Sequence, residues 1–275
     1  MDEGDELMTA MTARLARVPA GHYTFWQVAR MEWIKLRSLR STSWILLATA
    51  AGMIAIGVLV MANTRVPATA ADRASFDPTN NVLAGVALGQ LMIGVLGVLA
   101  MTGEYSSRTI RSTLAAIPNR PLVLAAKAAV FGVVTLVVGE TVTFVAFLAG
   151  RAVLGPAVPH PSFGQPGVLR AVAMSGVYLC LIGLMGLGLG AITRHTAAGI
   201  GALVGVLFVV PLLLVGVTRG PEIAKYFPTF IAGNSLAVAK PVAEMLSPWS
   251  GFGLLWTYTA VVLLTGGWLL VRRDA

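Results

Sequence analysis

Six long apolar runs, separated by shorter polar ones, dominate the chain. Four contain no charged residue: Trp44 to Ala62, Val82 to Thr102, Ala197 to Val217 and Gly251 to Val271. Leu122 to Gly150 carries Lys127 and Glu140, and Val168 to Ile192 carries Arg170. A helix needs about 20 mostly apolar residues to cross a hydrocarbon core of about 30 Å, and each run meets that length. The runs are continuous and do not alternate, which excludes a membrane β-barrel. The pattern therefore predicts an all-α, polytopic membrane protein with six transmembrane helices. Composition agrees, since 56% hydrophobic and 12% charged residues make a chain too apolar for an ordinary soluble domain.

The polar segments divide the rest. Residues 1–24 open with the acidic "MDEGDE" and read as a disordered tail, and residues 1–43 together are polar and too long for the n-region of a cleavable signal. Residues 25–43 read as a helix lying in the membrane interface. On a helical wheel Phe25, Trp26, Val28, Ala29, Trp33, Leu36 and Leu39 share an arc, with Arg30, Lys35 and Arg37 outside it. Glu32 and Arg40 interrupt the pattern.

Between spans two and three lies "GEYSSRTIRSTLAAIPNR", Gly103 to Arg120, far longer than a tight turn requires. Ser106 or Ser107 is placed to cap a short helix over about residues 106–117, which Pro118 ends. Ile110, Leu114 and Ile117 share one face of it, with Arg108 and Arg111 elsewhere. Periodicity leaves open a helix that docks on another protein and an interfacial loop with snorkelling arginines. The outer segment 218–250 is cut by Pro221, Pro228, Pro241 and Pro248 into pieces too short to span, which suits short or re-entrant helices. Residues 272–275 form a terminal tail.

Charge sets the orientation. If the N-terminus is cytoplasmic, the inner segments hold Arg14, Arg17, Arg30, Lys35, Arg37, Arg40, Arg108, Arg111, Arg120, Lys127, Arg194, Arg272 and Arg273, which is 13 of the 20 lysines and arginines. Both termini are then inside. The net charge of +8 reads as anchoring to anionic lipid, because it forms no compact basic domain for nucleic acid. Lys127 and Arg170 lie close enough to span ends to snorkel, whereas Glu140, in the middle of span three, does not. An acid there faces a polar cavity, pairs, or stays protonated, and a hydrogen bond to Thr141, Thr143 or a neighbouring helix serves equally well. Gly201 and Gly205 in span five, and "GLMGLGLG" at the end of span four, allow close helix packing. Glu104 is placed to pair with Arg108 or with the interfacial helix.

Catalytic and metal chemistry find little support. His22, His160 and His195 lie outside the spans, there is no H-E-x-x-H, and Cys180 is single, so no catalytic or metal residues are assigned. None of Lys35, Lys127, Lys225 and Lys240 follows a glycine, so the chain lacks the phosphate-binding loop of an ATPase.

The stretch "GEYSSRTIRSTLAAIPNRPLVLAAK", Gly103 to Lys127, closely resembles the segment between spans two and three of ABC-2 type permeases, the membrane subunits of ATP-binding cassette exporters. "YFPTFIAGNSL" (Tyr226 to Leu236) and "LSPWSGFGLLWTYTAVVLLTGGWLLVRRDA" (Leu246 to Ala275) resemble the outer loop and closing span of that family, and "FWQVARMEWIKLRS" its connecting helix. The resemblance implies that the segment after span two is a coupling helix. Its contact with a separate ATP-binding subunit would run through Arg108, Thr109, Ile110, Arg111 and Leu114, with Glu104 supporting the region. It places Gln90 and Pro211 beside a pathway to which Glu140 is a further candidate. It also implies two ATP-binding subunits, a second permease chain (the same or related), and ATP with Mg bound only by the partner. The cargo would be lipophilic, such as an antibiotic, peptide or lipid, and the location a bacterial plasma membrane. A proton-coupled carrier using Glu140 and a non-transporting scaffold are the competing readings, although no internal repeat of the carrier type is evident.

Overall fold

A computed structural model describes residues 23–67, 76–218, 222–238 and 245–273. The expected disordered tail lies almost entirely outside these residues, as do Pro221 and Pro241. Every regular element among the described residues is helical. In chain order they are α1 (Phe25–Ser38), α2 (Arg40–Ala62), α3 (Pro78–Val82), α4 (Val86–Ser106), α5 (Thr109–Ala116), α6 (Arg120–Ala152), α7 (Val168–Thr193), α8 (Thr196–Val204), α9 (Val210–Thr218), α10 (Pro228–Ser235) and α11 (Pro248–Arg272). Short 3₁₀ turns precede α4 and α10, and a π-helical stretch, Gly205–Val209, joins α8 to α9. Six continuous helical segments are long and apolar enough to cross a membrane: Arg40–Ala62, Leu83–Ser106, Arg120–Ala152, Val168–Thr193, Thr196–Val217 and Pro248–Arg272. The chain is a multi-pass, all-α membrane protein whose spans match the six apolar runs, extended by a few polar residues at the ends.

α7 is the hub, with 78% of its most apolar window buried against 17–22% for spans one, five and six. Glycine makes that position possible. A Cβ on Gly97 would fall 2.0 Å from the Gly183 carbonyl, and one on Gly186 would fall 2.2 Å from that of Gly94. α4 and α7 therefore cross backbone to backbone, the contact that small residues permit between helices in lipid. The glycine run at the end of span four packs as its spacing suggests. Gly201 and Gly205 differ: a Cβ on either meets no atom within 4 Å among the described residues, so no other described helix packs on them.

Hydrogen bonds define two ends. At one end Arg120 donates to the Leu270 and Arg273 carbonyls at 2.9 and 3.1 Å, and Arg194 donates to those of Leu269 and Arg273 at 3.2 Å each. Two guanidinium groups thus cap the last turn of α11, where the helix leaves carbonyls unpaired and carries partial negative charge. α1, α5 and the α7–α8 turn lie at this end too. At the other end Asp77 caps α3, accepting from the Thr79 and Asn80 amides, and its second oxygen accepts from the Val238 amide at 2.6 Å. Arg170 donates to the Ala237 carbonyl at 3.1 Å there, within one turn of the start of α7.

Candidate functional site at the α1–α5 end

α1 begins at Thr24, whose amide donates to the Gln27 side chain at 2.9 Å in the manner of a capping box. The wheel's single apolar arc divides in two. Val28 and Ala29 are buried against the protein, whereas Trp26 and Trp33 are exposed. Glu32, the apparent flaw in that arc, is 3% exposed and belongs to the inward face.

There it joins an ionic cluster. Lys35 donates to Glu32 Oε1, Glu104 Oε1 and Thr113 Oγ1 at 3.0, 3.0 and 3.1 Å, so all three of its protons have acceptors. Lys127 donates to Glu104 Oε1 at 2.8 Å and to Glu32 Oε2. Two ammonium groups and two carboxylates, from α1, the end of α4 and the start of α6, thus compensate each other, and Thr113 ties α5 to them. Burial works to lower the pKa of Lys35, but the Glu104 and Glu32 carboxylates outweigh it and hold the ammonium above its ordinary value. Glu104 pairs with the interfacial helix, one of the two partners its position suggested, and not with Arg108. Lys127 is a correction: at 7% exposure it does not snorkel to the surface but neutralises Glu32 and Glu104.

The helix after span two is shorter than expected. Ser106 is still the last residue of α4, its hydroxyl bonded to the Gly103 carbonyl, and Ser107 closes that helix. Arg108 turns the chain in the left-handed region at φ 59°, and α5 starts at Thr109, whose hydroxyl is 2.9 Å from that of Ser107. Neither serine is the N-cap.

α5 separates its residues by function. Ile110 is 2% exposed among Leu96, Met101 and Leu124, while Leu114 is half-buried and reaches both that cluster and the one that Ile117 forms with Val28 and Val123. These side chains hold α5 onto the spans and α1, so Ile110 is inaccessible to a partner and Leu114 only partly accessible. Arg108, Thr109, Arg111 and Ser112 are exposed on the outer side. Of the five residues expected to make a contact, three present a surface and two anchor it. Thr113, buried beneath and bonded to Lys35, was not foreseen, because its partner is 78 residues away in sequence.

The residues considered for a pathway fall in two places. Gln90 is 2% exposed and accepts a hydrogen bond from the buried Tyr178 hydroxyl, with the Thr229 side chain also in reach of that hydroxyl. Thr229 in turn donates to the Leu207 carbonyl at 2.6 Å. That carbonyl is the one Pro211, four residues on, cannot bond for want of an N–H. A π-helical stretch lies just before Pro211, and Thr229 on α10 supplies a donor to the Leu207 carbonyl. Leu207 lies halfway along span five, so the segment between spans five and six dips back to the level of mid-span and is re-entrant in form. Its deepest residues are Tyr226 to Thr229, and α10 climbs back toward Ser235, beside Gly251 at the start of α11.

Glu140 is elsewhere. It sits against Gly176, where a Cβ would come within 2.4 Å of its carboxyl carbon. Gly176 and Tyr178 are about 200° apart around α7, so the hub separates Glu140 from Gln90. Thr141 and Thr143 bond the carbonyls of their own helix, at Val137 and Gly139, and neither serves Glu140. Glu140 Oε2 is buried without a hydrogen-bond partner among the described residues. No group of three His, Cys, Asp or Glu side chains converges among those residues either. No family model matches the chain, and comparison with curated proteins returns no match.

Proposed function

We propose that the chain is the permease subunit of an ATP-driven exporter of the ABC-2 type in a bacterial plasma membrane, with the α1–α5 end cytoplasmic. The observation that carries this reading is α5: a short helix with an exposed basic face, its underside fixed by Ile110, Leu114 and Thr113 to three other elements. A push on such a helix from a nucleotide-driven motor moves α1 and spans two and three as one body, which is what coupling to an external engine requires. ATP and Mg belong to two copies of that motor, and a second permease chain completes the assembly. The cargo is lipophilic.

The test uses the full chain, produced together with an ATP-binding cassette subunit from the same organism and reconstituted in vesicles. Export must depend on ATP, and Arg108→Glu with Arg111→Glu must release the motor while the permease stays folded. A chain that purifies without such a partner and shows no ATP-dependent transport overturns the reading in favour of a scaffold. One observation favours a second reading: the buried, unpartnered oxygen of Glu140 suits a proton-coupled carrier. Transport driven by a pH gradient without nucleotide, and lost in Glu140→Gln, would establish that instead.

A further inference from the structure

α1 has two faces of opposite character. Inward, Val28 and Ala29 pack on Val123 and Ala126 of α6, and Glu32, the only acid of the helix, is held in the ionic cluster. Outward, Trp26, Arg30, Trp33 and Arg37 follow one another at spacings of four, three and four residues. At 100° per residue they fall within about 60° of one another, a single stripe along the helix. All four are exposed, Trp26 to 79%, and neither arginine makes a hydrogen bond or ion pair among the described residues.

Two neighbours fix the level of this stripe. α2, the first span, begins at Arg40, just after α1 ends, and exposes Trp44 in its first turns. In α6 the stretch from Ala128 to Gly150 is by itself long enough to cross a hydrocarbon core of about 30 Å. The first turns of α6, Arg120 to Lys127, on which α1 packs, therefore stand at headgroup level.

We propose that the stripe binds the headgroups of anionic phospholipid in the leaflet at the α1–α5 end. Three features select that occupant. The charge of the stripe is wholly positive, and a guanidinium meets phosphate oxygens with paired N–H groups. Each tryptophan lies one turn from an arginine, and a ring that is apolar in body and polar at its N–H belongs at the boundary between headgroup and chain. Arg30 and Arg37 are two turns apart, about 10.5 Å along the axis, so each engages its own lipid. Phosphatidylcholine offers the same phosphate with a cation beside it, so net charge at the leaflet determines occupancy. The inner face of α1 is meanwhile locked by Glu32 and Lys35 to α4, α5 and α6, so lipid bound outside clamps the cluster from the leaflet side. Such a surface needs only a chain that spans a membrane; it does not depend on the motor or on the cargo.

The experiment places the full chain in nanodiscs of phosphatidylcholine, with or without phosphatidylglycerol, and follows amide hydrogen exchange of residues 25–38 by mass spectrometry. Phosphatidylglycerol should slow exchange there by about five-fold for each arginine at the leaflet, the effect of one basic residue at an anionic surface, and leave residues 248–272 unchanged. High salt should shrink the difference between the lipids. Arg30→Gln with Arg37→Gln should abolish it, whereas Arg30→Lys with Arg37→Lys, which keeps the charge, should retain most of it. Trp26→Ala with Trp33→Ala should speed exchange equally in both lipids, because it removes the apolar anchor and not the charge. Wild-type exchange at 25–38 that is the same in the two lipids overturns the proposal and leaves the stripe to a protein partner. A lipid difference that survives the double glutamine variant overturns the assignment to these two arginines.

Discussion

The two ends of this molecule are held together by different physics. At the α1–α5 end four charged side chains from three helices neutralise one another in a buried cluster, and two arginines cap α11. At the opposite end Asp77, Arg170 and Asn234 each reach the backbone of a connecting segment, and the re-entrant helix leans on a carbonyl that a proline left free. The first arrangement fails steeply when any member is removed, because what remains is an uncompensated buried charge. The second loses one neutral or singly charged hydrogen bond at a time.

The comparison is broken most severely at Lys127. Lys127→Met leaves Glu32 and Glu104 facing each other with only the half-exposed Lys35 between them. The expected loss is about 3–5 kcal/mol, the range for removing one partner of a buried pair. Thermal unfolding in detergent should show it, and the triple replacement Glu32→Gln, Glu104→Gln, Lys127→Met should recover part of it. A single mutant as stable as the wild type would mean that the cluster is not buried in the membrane-embedded protein.

Thr229→Val probes the opposite end. It strands the Leu207 carbonyl, at a cost of about 1–3 kcal/mol. Pro211→Ala restores an N–H four residues on, so the double variant should regain most of that loss. Additive losses would show that Thr229 is not the substitute donor. Asp77→Asn should cost less, about 1 kcal/mol, since Asn keeps one acceptor for the cap while its amide no longer accepts from Val238. Differential scanning of both variants beside Lys127→Met would rank the two ends directly.

The spans were legible in the sequence because crossing lipid demands an uninterrupted apolar run, a constraint that each segment satisfies by itself. The glycines of α7 were legible for a related reason, yet Gly201 and Gly205, with the same spacing, receive no neighbour among the described residues: spacing gives permission to pack without naming the neighbour. The ionic cluster was only half readable. Glu104 and the interfacial helix were paired on proximity to the same span end, whereas Glu32 looked like a defect and Lys127 like a snorkelling anchor. They pair with each other across 95 residues of sequence, which no local pattern shows. The faces of α5 were misjudged because an apolar stripe on an eight-residue helix looks the same whether it meets a partner or its own chain. The Thr229 to Leu207 bond is tertiary, but Pro211 does announce that some carbonyl in its preceding turn needs a donor.

The smallest expected effect concerns pH and separates the ends without mutating either. Lys35 is held above its ordinary pKa of 10.5 by Glu104 and Glu32 against the opposing pull of burial. A group whose folded pKa is raised contributes stability that is complete below its unfolded value and is lost as pH rises through the folded one. Its contribution is therefore constant through neutral and mildly alkaline pH and declines only above 10.5. Lys35 is also 30% exposed, so solvent screens part of the interaction and the decline is shallow. A spin label at the exposed Ala115 of α5 should keep its mobility from pH 6 to about 10 and loosen slightly beyond it. A label at the exposed Ile223, near the re-entrant segment, reports an end without that lysine and should show no matching step. Loosening of Ala115 near neutral pH would mean that another titrating group governs the cluster, and parallel loosening at both labels would mean that the two ends unfold as one.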